Sequence, residues 1–160
     1  MTQIDSKRPS KLYYFASHNV LERSMSLGEF CLVPPAPEHP AGDEINPFLT
    51  LSLTTDWNGT LFDHAPDVDS YLVIHDAEEF GERVHRAVQR VLPNWAGIDA
   101  AMSYGVPSPL GKAFSKAKHR AAESEWRFAW RPMQGNASLH PVVIRIGSLQ
   151  GIAELHTRND

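Results

Sequence analysis

The stretch Lys112 to Arg131, KAFSKAKHRAAESEWRFAWR, decides how this chain is read. It reads as a basic helix running into an aromatic strand, with Glu123-Ser124-Glu125 as the hinge. From Glu125 onward the alternation is strict. Trp126, Phe128 and Trp130 fall on one face, and Glu125, Arg127, Ala129 and Arg131 on the other. Three aromatics on one face anchor a core, at about 1.5–3 kcal/mol each when fully buried. The opposite face presents carboxylates and guanidiniums at fixed spacing. Glu123 joins Glu125 on it if the strand starts early enough, with the two Cα atoms about 6–7 Å apart.

Working outward, residues 1–10 are polar and are expected to form a flexible tail, and residues 11–160 a single globular domain. Leu12 to Ala16 has strand composition, Ser17 is placed as an N-cap, and a helix runs to about Leu27 with Gly28 behind it. Phe30 to Val33 is a second strand. It holds Cys31 as a small core residue and is stopped by Pro34-Pro35. Residues 34–47, PPAPEHPAGDEINP, are a long loop, either an ordinary excursion or cover for a cleft. Phe48 to Thr54 alternates cleanly: Leu49, Leu51 and Leu53 face a core, while Thr50, Ser52 and Thr54 form a hydroxyl row facing solvent or a ligand.

Ser70 to Ile74 is another strand, and Asp76 caps a helix whose stripe is Phe80, Val84, Ala87, Val88 and Val91. Residues 98–106 are ambiguous. A helix is then expected from about Pro109 to Ala122, with Leu110, Ala113, Phe114 and Ala117 inward. The aromatic strand follows it. A turn is expected over Met133 to Ser138, a strand buried on both faces over Leu139 to Gly147, and a short strand over Ile152 to His156. The strands cluster late and the helices are few. The pattern is α+β: one domain, a mixed or antiparallel sheet and about three helices.

A chain of 160 residues with 42% hydrophobic and 21% charged residues is ordinary for a soluble domain. One cysteine rules out an internal disulfide, so a reducing cytoplasm is the default location. The first residues have no apolar signal core, and no apolar run reaches the roughly 18–20 residues that span a bilayer. The net charge of −4 argues against a wholly basic nucleic-acid binder. Yet five basic groups lie between Lys112 and Arg127, either a solvated face or a local anion site.

Eight histidines show no His-x-His, His-x-x-x-His or His-Glu-x-x-His spacing, so no metal is expected. No Gly-x-Ser-x-Gly elbow and no glycine-rich phosphate loop occurs. The pair Glu123 and Glu125 remains. Such a pair can divide labour, one carboxylate stabilising positive charge and the other orienting a substrate. Equally, both can be exposed, with Arg127 as a weak surface partner.

Glu-x-Glu at the head of a late strand resembles the motif of the ADP-ribosyltransferase-like superfamily. LYYFASHNVLERSMSLGEF looks like the opening strand, helix and glycine of its DNA-modifying toxin branch. LTLSLTT resembles the middle strand, and KHRAAESEWRF looks like the closing signature of a bacterial family of unknown function. The resemblance implies NAD as substrate, with Glu125 as the catalytic glutamate and Glu123 as its partner. It implies a sheet split around an NAD cleft between the Ser52 strand and the Glu125 strand, with Ser52 and Thr54 beside the pocket. Lys116, Lys118, His119 and Arg127 would be positioned for the pyrophosphate or a nucleic-acid or protein acceptor. Where the opening strand of that superfamily supplies Arg or His to hold NAD, this chain has Tyr13 and Tyr14, and Tyr14 is the expected substitute. Two other classes stay open. One is a non-enzymatic module that docks an acidic or nucleic-acid partner on the basic helix 112–120. The other is a structural protein whose role is assembly.

Overall fold

The computed structural model describes residues 7–35, 48–134 and 139–158. In chain order they form β1 (Leu12–Ala16), α1 (His18–Leu27), β2 (Glu29–Leu32), β3 (Leu49–Thr54), β4 (Ser70–Ile74) and α2 (Ala77–Val91). There follow β5 (Trp95–Ala101), β6 (Ser103–Tyr104), β7 (Ser115–Lys116), β8 (Glu125–Pro132), β9 (Val142–Arg145) and β10 (Ala153–Thr157). Short 3-10 turns occupy Gly59–His64, Lys112–Phe114 and Lys118–Glu123. The architecture is α+β with a mostly antiparallel sheet. Six strands run in the order β10-β4-β1-β3-β8-β5, every neighbouring pair antiparallel. Two-stranded ladders, β2-β9 and the parallel β6-β7, accompany it.

The two alternating stretches of the sequence meet in the middle of this sheet. Trp126, Phe128 and Trp130 stand opposite Leu53, Leu51 and Leu49, so each aromatic packs beside a leucine on one face. Phe80, Val84, Ala87 and Val88 of the α2 stripe lie in the same apolar cluster, with Phe80 edge-on to Phe128 at 6.0 Å, while Val91 is half exposed. The Asp76 carboxylate caps α2 by accepting from the Glu79 N–H at 3.0 Å. Leu21 of α1, Phe30 and Leu32 of β2 and Ile144 of β9 complete the cluster. Gly28 closes α1 at φ 65°, and a Cβ there would sit 2.2 Å from the Gly147 carbonyl oxygen. Both the backbone and the space demand glycine.

Several expectations need correction. The basic helix is absent: Lys112 to Glu123 is two 3-10 turns joined by β7. Phe114 does point inward, buried in a loop plug against Ala100 and Ala129 with Leu110 and Ala113 half-buried beside it, but Ala117 is exposed. Residues 139–147 are not buried on both faces. Only Ile144 and Ile146 are buried, while Val143 is exposed. Cys31 points outward from β2 between inward Phe30 and Leu32. In β3 the hydroxyl row is not uniformly outward either, since Thr50 and Thr54 are buried. Residues 1–6, most of the proline-rich stretch 34–47 and most of the turn at 133–138 lie outside the described residues. Among the described residues no helix is long and apolar enough to cross a membrane.

The strand register positions the site. β3 pairs with β8 over its whole length and β1 with β4 over its whole length, but β1 and β3 share a single register pair, Tyr13↔Thr54. The sheet parts there and not between the Ser52 and Glu125 strands, where the cleft was expected but a full ladder runs; a cleft of about 910 Å³ opens between β1 and β3.

Candidate functional site

Alternation along β8 sends Glu125 and Arg127 to the face opposite the tryptophans. Register pairs put Thr54 opposite Glu125 and Ser52 opposite Arg127. The Ser52 hydroxyl donates to Glu125 Oε2 at 2.8 Å. Arg127 Nε donates to the same oxygen at 2.5 Å, and the Lys116 ammonium lies 2.5 Å from Oε1. Lys116 also donates to Glu123 Oε1 at 2.8 Å, so one buried ammonium bridges both carboxylates. Arg120 clasps Glu123 through Nε at 2.7 Å and Nη2 at 3.2 Å. The Tyr104 hydroxyl oxygen accepts from the Glu125 backbone N–H at 2.8 Å.

Glu123 and Glu125 therefore belong together, but not as neighbours on one strand face. Glu123 ends the 3-10 turn, and Ser124 between them takes φ 45°, the one positive-φ non-glycine among the described residues. The reversed backbone turns the Ser124 carbonyl toward β3, where it accepts from the Thr55 N–H and the Thr54 hydroxyl. A left-handed serine costs about 1–2 kcal/mol. Ser124→Gly should leave the melting temperature unchanged or raised. Ser124→Val, β-branched at a positive φ, should lower stability by about 1–3 kcal/mol in urea unfolding. Equal stability of the two variants would show that the turn is not strained.

Burial pushes the Glu125 carboxyl upward, but Arg127, Lys116 and the Ser52 hydrogen bond outweigh it and hold the carboxyl below its ordinary value. Glu123 is likewise pushed up by burial and held down by Lys116 and Arg120. Both are ionised at neutral pH. Five charged groups, Glu123, Glu125, Lys116, Arg120 and Arg127, sum to one net positive charge. The folded-state pKa values are depressed, so the stability these groups confer is present above the unfolded carboxylate range and is lost as pH falls through the folded values. Urea midpoints should hold from pH 7 to about 5 and fall below about pH 4. A flat profile down to pH 3 would contradict the pairing.

Expected site residues fall into two groups. Glu125, Glu123, Ser52 and Arg127 form one constellation, and Ser52 is the exposed member at the cleft floor. Thr54 borders the cleft, but its hydroxyl donates to the Glu123 carbonyl at 2.8 Å and so holds the turn. Tyr14 borders the cleft where β1 leaves β3, with its ring tilted against Phe30 at 5.3 Å. Tyr13 is the tyrosine on the Glu125 side. His119 and Arg120 line the rim; Lys116 is committed to carboxylates instead of facing a phosphate. Tyr104 was not foreseen, and no spacing in the sequence marks it. Among the described residues no three His, Cys, Asp or Glu side chains are grouped to hold a metal ion.

Comparison of the chain with family models, curated proteins and solved structures finds no match. The functional reading therefore rests on the geometry of the cleft and of Glu125.

Proposed function

We propose that the cleft between β1 and β3 binds NAD and that the domain catalyses ADP-ribosyl transfer, with Glu125 as the catalytic carboxylate. One observation carries this reading: an ionised, immobilised carboxylate lining the cleft one strand in from the split, with an acceptor position left over. A carboxylate offers about four lone-pair sites. Lys116, Ser52 and Arg127 take three of those on Glu125. The fourth can accept from a ribose hydroxyl, and the negative charge opposes the positive charge that develops on the sugar. A carboxylate held this far below neutrality is not a general acid, which suits charge stabilisation better than protonation.

In this reaction the bond between ribose C1′ and the nicotinamide nitrogen breaks and its electron pair leaves with nicotinamide. The acceptor nucleophile then bonds to C1′ and loses its proton to solvent. The cleft volume of about 910 Å³ lies within the range of small-molecule and cofactor sites. The net positive charge of the five-group cluster, with His119 and Arg120 at the rim, suits a pyrophosphate.

The docking-helix reading has less support. Its basic segment is not helical, Lys116 is 6% exposed, and Arg120 is paired with Glu123.

The test is nicotinamide release from NAD by purified protein, together with the melting temperature with and without NAD. Release and an NAD-dependent upward shift are expected. Absence of both would overturn the proposal.

A further inference from the structure

We infer that the rim formed by Asp56 to Asp67 is a docking surface for an arginine-rich segment of a partner protein. Between Arg23 and Arg83 the chain has no lysine or arginine. Within that span Trp57 stands at the surface, 47% exposed, beside exposed Asp56, Asp63 and Asp67. The exposed indole offers a broad aromatic face to a partner.

The ring is held in place. Phe62 lies edge-on at 6.3 Å and Tyr71 at 6.0 Å, and the backbone of Gly59 passes close beneath, where a Cβ would meet the indole at 3.3 Å. Phe62 and Tyr71 belong to an apolar cluster of their own, packed against Phe15 and Val68. Trp57 is therefore a fixed aromatic face, with little ordering still to be done on binding.

Charge selects the partner. An aromatic face in an acidic stretch of surface attracts cations, guanidinium in particular, through the ring quadrupole and the ion pair together. The chain itself shows the chemistry. The Arg158 guanidinium sits 5.2 Å over the Phe62 ring and 3.6 Å from Asp63, on an arm that is still half exposed. It is a guanidinium already accepted by this aromatic and carboxylate pair, one ring away from the Trp57 face. Nucleic acid does not fit here, because its phosphates would face the aspartates.

The surface adjoins the cleft, since Asn58, Thr60 and Asp63 line both. The inference stands whether or not the cleft turns over NAD, because its readout is binding alone.

The probe is a capped oligo-arginine peptide titrated into the full chain at low salt, followed by Trp fluorescence and by calorimetry. Saturable binding that weakens with added salt is expected. Trp57→Ala and Asp63→Asn should each weaken it severalfold, and the pair by about tenfold or more. Arg158→Ala should tighten binding, since it removes the resident guanidinium. Trp57 and Asp63 are exposed, so these variants keep their fold, checked by unchanged melting temperature. No binding at low salt, wild-type affinity in Trp57→Ala and Asp63→Asn, or equal binding of an oligo-glutamate peptide would overturn the inference. An NAD assay that fails while peptide binding is retained would remove the proposed activity without touching this surface.

Discussion

Glu125→Gln is expected to lose nicotinamide release by at least two orders of magnitude and to lower stability by about 3–5 kcal/mol. Both effects follow from the same contacts. In the native protein the carboxylate neutralises Lys116 and Arg127, whose side chains are 6% and 11% exposed. Glutamine keeps the shape and one acceptor but removes the charge, and its amide N–H groups must face one of the two cations. Two buried cations are then left with one carboxylate, Glu123, between them and Arg120. At about 2–4 °C per kcal/mol for a chain of this size, the melting temperature should fall by roughly 10 °C.

Activity must therefore be measured well below the variant's transition. Lys116→Met together with Glu125→Gln removes the bridging ammonium as well. The double variant should recover part of the lost stability, because the two losses are not additive in a shared network. It should recover no release, because the ribose still lacks its carboxylate. Ser52→Ala removes one hydrogen bond for about 1 kcal/mol and isolates the orientation of Glu125 from its charge. If Glu125→Gln releases nicotinamide at the wild-type rate, Glu125 is a structural anchor and the catalytic reading fails.

The residues that were easiest to read are those whose partners lie in one register. The alternation of Trp126, Phe128 and Trp130 against Leu49, Leu51 and Leu53 is a period-2 pattern on both strands. Their pairing follows from burying those faces together. The caps at Ser17, Gly28 and Asp76 were legible for the same local reason. The stretch at 109–122 misled because Leu110, Ala113, Phe114 and Ala117 carry helical spacing. Spacing reports which residues turn inward, not the path between them. Gly111 at φ 102° breaks that path, Phe114 drops into a cluster with Ala100 and Ala129, and Lys116 is drawn to two carboxylates. Tertiary contacts decide so short a segment, since isolated helices of this length are marginal.

The site itself was half legible. Glu123, Glu125 and Arg127 were visible as a charged row, but the pairing of the two carboxylates with Lys116, Arg120 and Ser52 was not. Those partners come from three separate segments. The resemblance implied a split sheet but set the split between the Ser52 and Glu125 strands; its place between β1 and β3 was not legible, because a missing ladder leaves no mark in composition.

The most consequential residue that the sequence hid is Asp99, and Asp99→Ala should destabilise the fold by about 3–5 kcal/mol. Its carboxylate, 7% exposed, accepts four hydrogen bonds: from Arg8 Nε at 2.8 Å and Nη2 at 2.9 Å, from the Trp126 indole at 2.9 Å, and from His85 Nε2 at 2.8 Å. Burial raises its proton affinity, yet the bonds from His85, Arg8 and Trp126 prevail and hold it well below the usual range. Alanine would leave the Arg8 guanidinium, 15% exposed, with only the exposed Glu78 carboxylate at 3.1 Å as partner, and the buried indole N–H without an acceptor. Asp99→Asn should cost less, since it keeps acceptors and loses charge.

Arg8 reaches Asp99 by crossing α2 at Gly81, where a Cβ would stand 2.4 Å from Arg8 Nε. Gly81→Ala thus sets two effects against each other. Alanine gains about 1 kcal/mol of helix propensity, and the displaced guanidinium loses its buried partner. Loss of the ion pair outweighs the gain in propensity, so a net destabilisation is expected, and Arg8→Met should abolish the difference between Gly81 and Gly81→Ala. Ala101, two residues beyond Asp99, pairs with Trp126, the neighbour of Glu125. Amide exchange at Trp126 and Glu125 should therefore quicken in Asp99→Ala, and unchanged protection there would mean that the hub holds the terminus alone.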